Sequence, residues 1–171
     1  MFKNCDNRTI RKESMTTTTR EEQKISNKEV RETLHDVIES LIDGHEGFQK
    51  IGEHLKDETL KKYFFAESLK RSQFRGELET LLHSTGEHDP KESGSVSGAL
   101  HRTWGDIKAH LGGGDHTLLE TAEQGEDAAK NAYKDALQKY LPAPVKELLT
   151  TQYAHVQKSH DYVKAARDSR K

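Results

Sequence analysis

The segment LETAEQGEDAAKNAY, residues 119–133, sets Glu120, Glu123 and Glu126 at steps of three. On a helix, carboxylates so spaced either help to hold a metal ion between helices or form a wetted surface. The first role needs more donors on facing helices: carboxylates to balance the cation charge and imidazoles to complete its coordination. The chain carries 10 histidines, but His83, His88, His101, His110 and His116 fall near expected helix ends and loops. Which donors can meet depends on the elements that carry them.

Those elements read as helices. β-branched runs are scarce, and only three prolines occur in 171 residues. Steps of three and four join Val30, Leu34, Val37, Ile38, Leu41, Ile42, Phe48, Ile51 and Leu55 into one stripe on a first helix over 28–56, with Asn27 as its N-cap. Asp57 caps a second helix, striped by Leu60, Phe64, Phe74, Leu78, Leu81 and Leu82 and stopped near Gly86. After the loop EHDPKESGS, a short third helix is expected over about 96–111, with Leu100, Trp104, Ile107 and Leu111 on one side. The glycines at 112–114 lack the spacing and the preceding strand of a phosphate-binding loop and read as a helix stop. Asp115 then caps a fourth helix carrying Leu118, Leu119, Ala122, Ala129, Tyr133, Ala136, Leu137 and Tyr140. LPAP separates it from a fifth, with Val145, Leu148, Leu149, Val156 and Val163.

Four of these helices have about 25 residues or more, ~40 Å each. The first and second are joined tightly, as are the fourth and fifth, so each pair must form an antiparallel hairpin. A connection of about thirty residues separates the pairs. The expected fold is all-α: a ferritin-like four-helix bundle of two antiparallel hairpins, with a short extra helix in the long crossover. The bundle should occupy 28–168, preceded by a flexible polar tail over 1–27. Within that tail, Met15 stands before four threonines and is a candidate translation start.

Composition excludes several classes. Lys and Arg number 27 against 29 Asp and Glu, a net charge of -2, which does not point to nucleic acid or an anionic membrane. Hydrophobic content is only 32 % and mean hydropathy -0.96, so periodicity has to supply the case for a core. The single cysteine, Cys5, can form no internal disulfide, and no apolar run reaches the length of a membrane span. A soluble cytoplasmic protein is expected.

At ~100° per residue, His45 falls inside the first stripe. Glu67 and Arg71 fall inside the second, between Phe64 and Phe74. Glu126 lies between Ala122 and Ala129, with Glu123 at the edge and Glu120 outward; Gln152 lies between Leu149 and Val156, with His160 at the edge. Each is about midway along its helix, so His45, Glu67, Arg71, Glu126, Gln152 and His160 are expected to form one polar core layer. A di-iron bundle needs a Glu from each of two helices and Glu-x-x-His from each of the other two. This chain fits poorly. ESLK puts Lys70 where histidine is wanted, QYAH puts Gln152 where a carboxylate is wanted, and Arg71 would repel a metal pair. The residual metal candidates are Glu67, Glu123, Glu126 and His160, with His45 as a further donor to a single ion.

LIDGHEGFQKIGEHLKD, GSVSGALHRTWGDIK, EQGEDAAKNAYKDAL, LPAPVKELL and HDYVKAARD, in that order, resemble a bacterial family of four-helix-bundle proteins, domain of unknown function 2383, grouped with the ferritin-like superfamily. The resemblance covers about 28–168 and implies a ferritin-like fold and no particular activity. Glu126, Asp127, Gln152, His160 and Asp161 match the family pattern, whereas relatives often carry an acid at the position of His45. The functional expectation is a non-enzymatic, stress-related bundle with no catalytic residues and no cofactor. The alternatives are an iron or manganese oxidase or iron-handling protein, and a bundle that binds a small ligand in its polar middle. Spare apolar residues such as Phe65 and Leu69 leave room for a homodimer, and nothing supports a hollow shell.

Overall fold

The structure, a computed structural model, describes residues 8–86 and 114–170, with side chains described from residue 27. The described residues form four helices: α1 (Arg8–His54), α2 (Glu58–Ser84), α3 (Gly114–Leu137) and α4 (Ala143–Asp168). The fold is an all-α four-helix bundle. The short helix expected over 96–111, with its Trp104, lies outside the described residues.

Most helix ends follow local chemistry. The Asp57 carboxylate accepts from the backbone N–H of Thr59 and Leu60 and so caps α2. Gly86, at φ 88°, follows its last turn. Pro142 and Pro144 open α4, where missing N–H groups cost nothing. Two boundaries differ from expectation. Asn27 is no N-cap, because α1 is already helical from Arg8. No glycine or proline occurs between that point and Gly44, and the Glu, Lys, Arg and Gln of the segment are good helix formers. Low hydrophobicity reports on burial rather than on helicity. Asp115 turns its carboxylate to the neighbouring hairpin, where it accepts from the backbone N–H of Lys56 (2.8 Å) and Asp57 (3.0 Å).

That contact defines the topology. α3 starts beside the α1–α2 turn, and so does the end of α4, where the Arg170 guanidinium donates to Asp57 at 2.6 Å. α2 ends at the other end of the bundle. Hence α2 and α3 run the same way, α1 and α4 run against them, and the end of α2 and the start of α3 lie at opposite ends of the bundle.

The apolar stripes meet in two separate cores. Nearer the α1–α2 turn, Phe48, Ile51, Leu55, Leu60, Phe64, Leu118, Leu119, Ala122 and Val163 pack together. Beyond it lies a larger core that includes Leu34, Leu41, Phe74, Leu78, Tyr133, Leu149 and Val156. On every helix the buried residues between these two groups are small or polar. α2 meets α4 more sparingly than it meets α1, and that seam is bridged by long polar and aromatic side chains.

Two expectations follow. Gly76 sits on α2 with open space around the position of a Cβ, whereas a Cβ on Gly52 would meet Phe64 Cβ and Phe65 Cε1 at 3.3 Å. Gly76→Ala should therefore raise stability by about 0.5–1 kcal/mol in urea melts, and Gly52→Ala should forfeit that gain. Asp57's pKa is lowered, first by the backbone N–H of Leu60 and then by Arg170. Its contribution is complete above the ordinary carboxylate value and is lost as pH falls through the lowered one. Asp57→Asn should flatten the acid limb of stability measured from about pH 5 to pH 2.

Candidate functional site

Between the two cores lies a buried guanidinium. Arg71 has 0 % exposure and is the largest fully enclosed side chain among the described residues. Its Nη2 donates to Glu126 at 2.7 and 3.0 Å. Its Nη1 lies 3.2 Å from Glu67, an ion pair without hydrogen-bond alignment, so Nη1 and Nε are buried with no hydrogen-bond partner. The ring of Phe48 lies 5.3 Å from the guanidinium carbon, within cation–π range.

Sequence reading missed two residues that shape this cluster. Gly44, on α1, gives the Arg71 stem its room: a Cβ there would touch Arg71 Cγ at 3.4 Å, and any larger side chain would displace it. The signal was a glycine within an otherwise regular helix. His155 donates from Nε2 to both Glu67 oxygens at 3.0 Å, and its ring meets Phe74 edge-on. It was visible in QYAH but sits at the border of the α4 stripe, where the wheel alone does not decide.

The other expected members lie apart from Arg71. His45 donates from Nδ1 to the Ser68 carbonyl at 3.0 Å, and the Ser68 hydroxyl returns a bond to the His45 carbonyl at 2.9 Å, locking α1 to α2. Gln152 accepts from the Tyr133 hydroxyl at 2.8 Å and donates to Glu77 at 2.9 Å and to the Phe74 carbonyl at 3.3 Å. His160 faces Asp127 and Asp161, and Glu123 is paired with Arg167. The single layer expected from helical level is thus four groups. Residues at one height still differ in rotation about their helix, and rotation selects the partner.

The electrostatics of the centre are those of a tightly coupled ion cluster. Burial alone would lower the Arg71 pKa, but the charge and hydrogen bonds of Glu126, with Glu67, outweigh it and hold the guanidinium above its ordinary value. Burial pushes the Glu126 carboxyl up, against the pull of Arg71. Burial likewise raises the Tyr63 and Tyr133 hydroxyls, which stay neutral.

Some four-helix bundles hold a metal pair at their centre, and these residues do not fit one. Around Arg71 stand two carboxylates where a metal pair needs four, and a fixed cation is already paired with both. The cluster can hold charge and bind helices together; it offers no position where two metal ions could share Glu67 and Glu126.

Removing one partner of a buried pair leaves the other charge uncompensated. Arg71→Ala should therefore cost about 3 kcal/mol, read from urea melts. Arg71→Lys should recover only part, because lysine lacks the planar fork that reaches two carboxylates.

No curated protein sequence matches the chain. The model of a family described as a domain of unknown function, DUF2383, matches residues 29–139, from within α1 through the end of α3. That is more than half of the 171 residues, and the chain belongs to this family.

Proposed function

We propose that the protein is a non-enzymatic, ferritin-like bundle whose middle is held by a guanidinium in place of a metal pair. In this reading it works in the cytoplasm, in a stress-related role, through its surface or as a homodimer. The carrying observation is the complete burial of Arg71 between Glu126 and Glu67. The order of hairpin, long connection and hairpin, with α2 and α3 parallel, supports the ferritin-like assignment. Among the described residues no helix is long and apolar enough to cross a membrane. Leu69 is 70 % exposed, with Phe65 near it on α2, which supplies an apolar surface for a second copy.

A cation of fixed charge differs from a metal pair in what it can do. Arginine stays protonated through the physiological range, accepts no electrons and offers no open coordination position. A centre built on it is suited to holding helices in register.

Elemental analysis of chain purified without chelator tests the reading. Iron or manganese should be absent from the centre, so that Glu126→Ala leaves metal content unchanged. Stoichiometric iron or manganese that disappears in Glu126→Ala would overturn it in favour of a metal-handling bundle.

A further inference from the structure

Away from the centre, on the seam between α3 and α4, Glu123, Asp127 and His160 converge. One donor atom from each lies within 4.8 Å of the others. Glu123 and Asp127 are four apart on α3 and share a face. His160 is 6 % exposed, and both its ring nitrogens face carboxylates: Nε2 lies 3.1 Å from Asp127 and Nδ1 lies 3.0 Å from Asp161.

A neutral imidazole has one N–H and one lone pair. If Nδ1 gives its proton to Asp161, the Nε2 lone pair points at the Asp127 carboxylate with nothing positive between them. That contact needs positive charge at Nε2, which either a second proton or a bound metal ion supplies. A histidine whose far nitrogen is held by a carboxylate is also the arrangement in which imidazole binds metal, because the outer carboxylate fixes the tautomer and raises ligand basicity.

We infer that Glu123, Asp127 and His160 form a binding site for one divalent transition-metal ion, with Asp161 as the positioning residue for His160. Two carboxylate oxygens and one imidazole nitrogen leave a fourth position for water, a donor set that suits zinc. Around a zinc ion with bonds of about 2.0–2.1 Å, neighbouring donors stand ~3.4 Å apart. The Nε2–Asp127 separation is already close to this, so Glu123 is the arm that closes.

Glu123 is not idle without metal: Arg167 Nη1 holds it, while Arg167 Nε and Nη2 also contact Asp168. Asp168 gives the guanidinium a second carboxylate when Glu123 turns to the ion. Lys130 lies 3.6 Å from Asp127 and competes more weakly from the exposed side. Arg167 thus acts as a competitor of the ion, and its removal should favour binding.

The test is calorimetric titration of the full chain, stripped of metal, with zinc chloride. One equivalent should bind. His160→Asn and Asp127→Asn should each weaken binding by about tenfold or more, and Asp161→Asn by roughly 10- to 100-fold through loss of the supporting carboxylate. Arg167→Gln should tighten it. Glu120→Gln, outward on the same helix, should leave it unchanged. Circular dichroism of the metal-free variants controls for folding; should His160→Asn unfold the chain, Asp161→Asn, at an exposed residue, carries the same test. Failure of the wild type to bind, unchanged affinity in Asp161→Asn, or weaker binding in Arg167→Gln would each overturn the inference. Zinc lost on Glu67→Gln but retained in Asp127→Asn would overturn it too, and would place the metal at the centre, where it would count against the guanidinium-held bundle instead.

Discussion

The bundle is organised around the need to keep one buried positive charge in company. A guanidinium removed from water has a large desolvation cost, and only close carboxylates with good geometry offset it. Arg71 therefore dictates what α3 and α1 may carry opposite it: Glu126 within hydrogen-bond reach, and Gly44 where a larger side chain would block the stem. Glu67 completes the cluster from Arg71's own helix, and His155 on α4 completes Glu67. All four helices are thus committed at this level. The apolar side chains are divided by it into two cores, and every helix contributes to each. Such a cluster contributes more to uniqueness of register than to net stability, since sliding any helix by one turn would strand a buried charge.

The ends of the bundle are tied by different means. At the α1–α2 turn, Asp57 caps α2, receives Arg170 from the end of α4, and shares with Lys56 the carboxylate of Asp115 at the start of α3. Three of the bundle's helix ends thereby meet the turn through charged groups and backbone donors. The α2–α4 seam, where backbone approach is sparse, is spanned by Gln152, His155 and the paired rings of Tyr63 and Tyr162. Polar reach substitutes there for close packing.

Charge at the centre and charge on the flank have different consequences. At the centre, a fixed cation is paired with two carboxylates, and its charge opposes the entry of a second cation. On the α3–α4 flank, three carboxylates stand near one imidazole, and the cations present, Arg167 and Lys130, are partly exposed. The proposed division is a bundle centre held by a guanidinium and a flank whose donors converge on one point.

Periodicity along each helix was legible because it is a property of one segment at a time. The stripe that carries Leu34, Leu41 and Phe48, and the one that carries Phe64, Arg71 and Phe74, follow from a 3.6-residue turn and need no neighbour. The hairpin topology followed from loop lengths, and the Asp57 cap from a local bond. What the sequence could not contain was how far each helix is rotated and slid against the next. That is decided by contacts summed over the whole bundle, and it determines that His155 rather than Gln152 reaches Glu67, that His45 turns to Ser68, and that His160 meets Asp127. The start of α1 was misjudged for a related reason: a polar helix and a polar coil have the same composition, and only backbone hydrogen bonding tells them apart. The sequence by itself determined most of each inward stripe, although Tyr140, assigned to the fourth, lies beyond α3 and is exposed; the tertiary structure alone decided which residues touch, because a side-chain contact depends on the relative placement of two helices and the helical period describes only one.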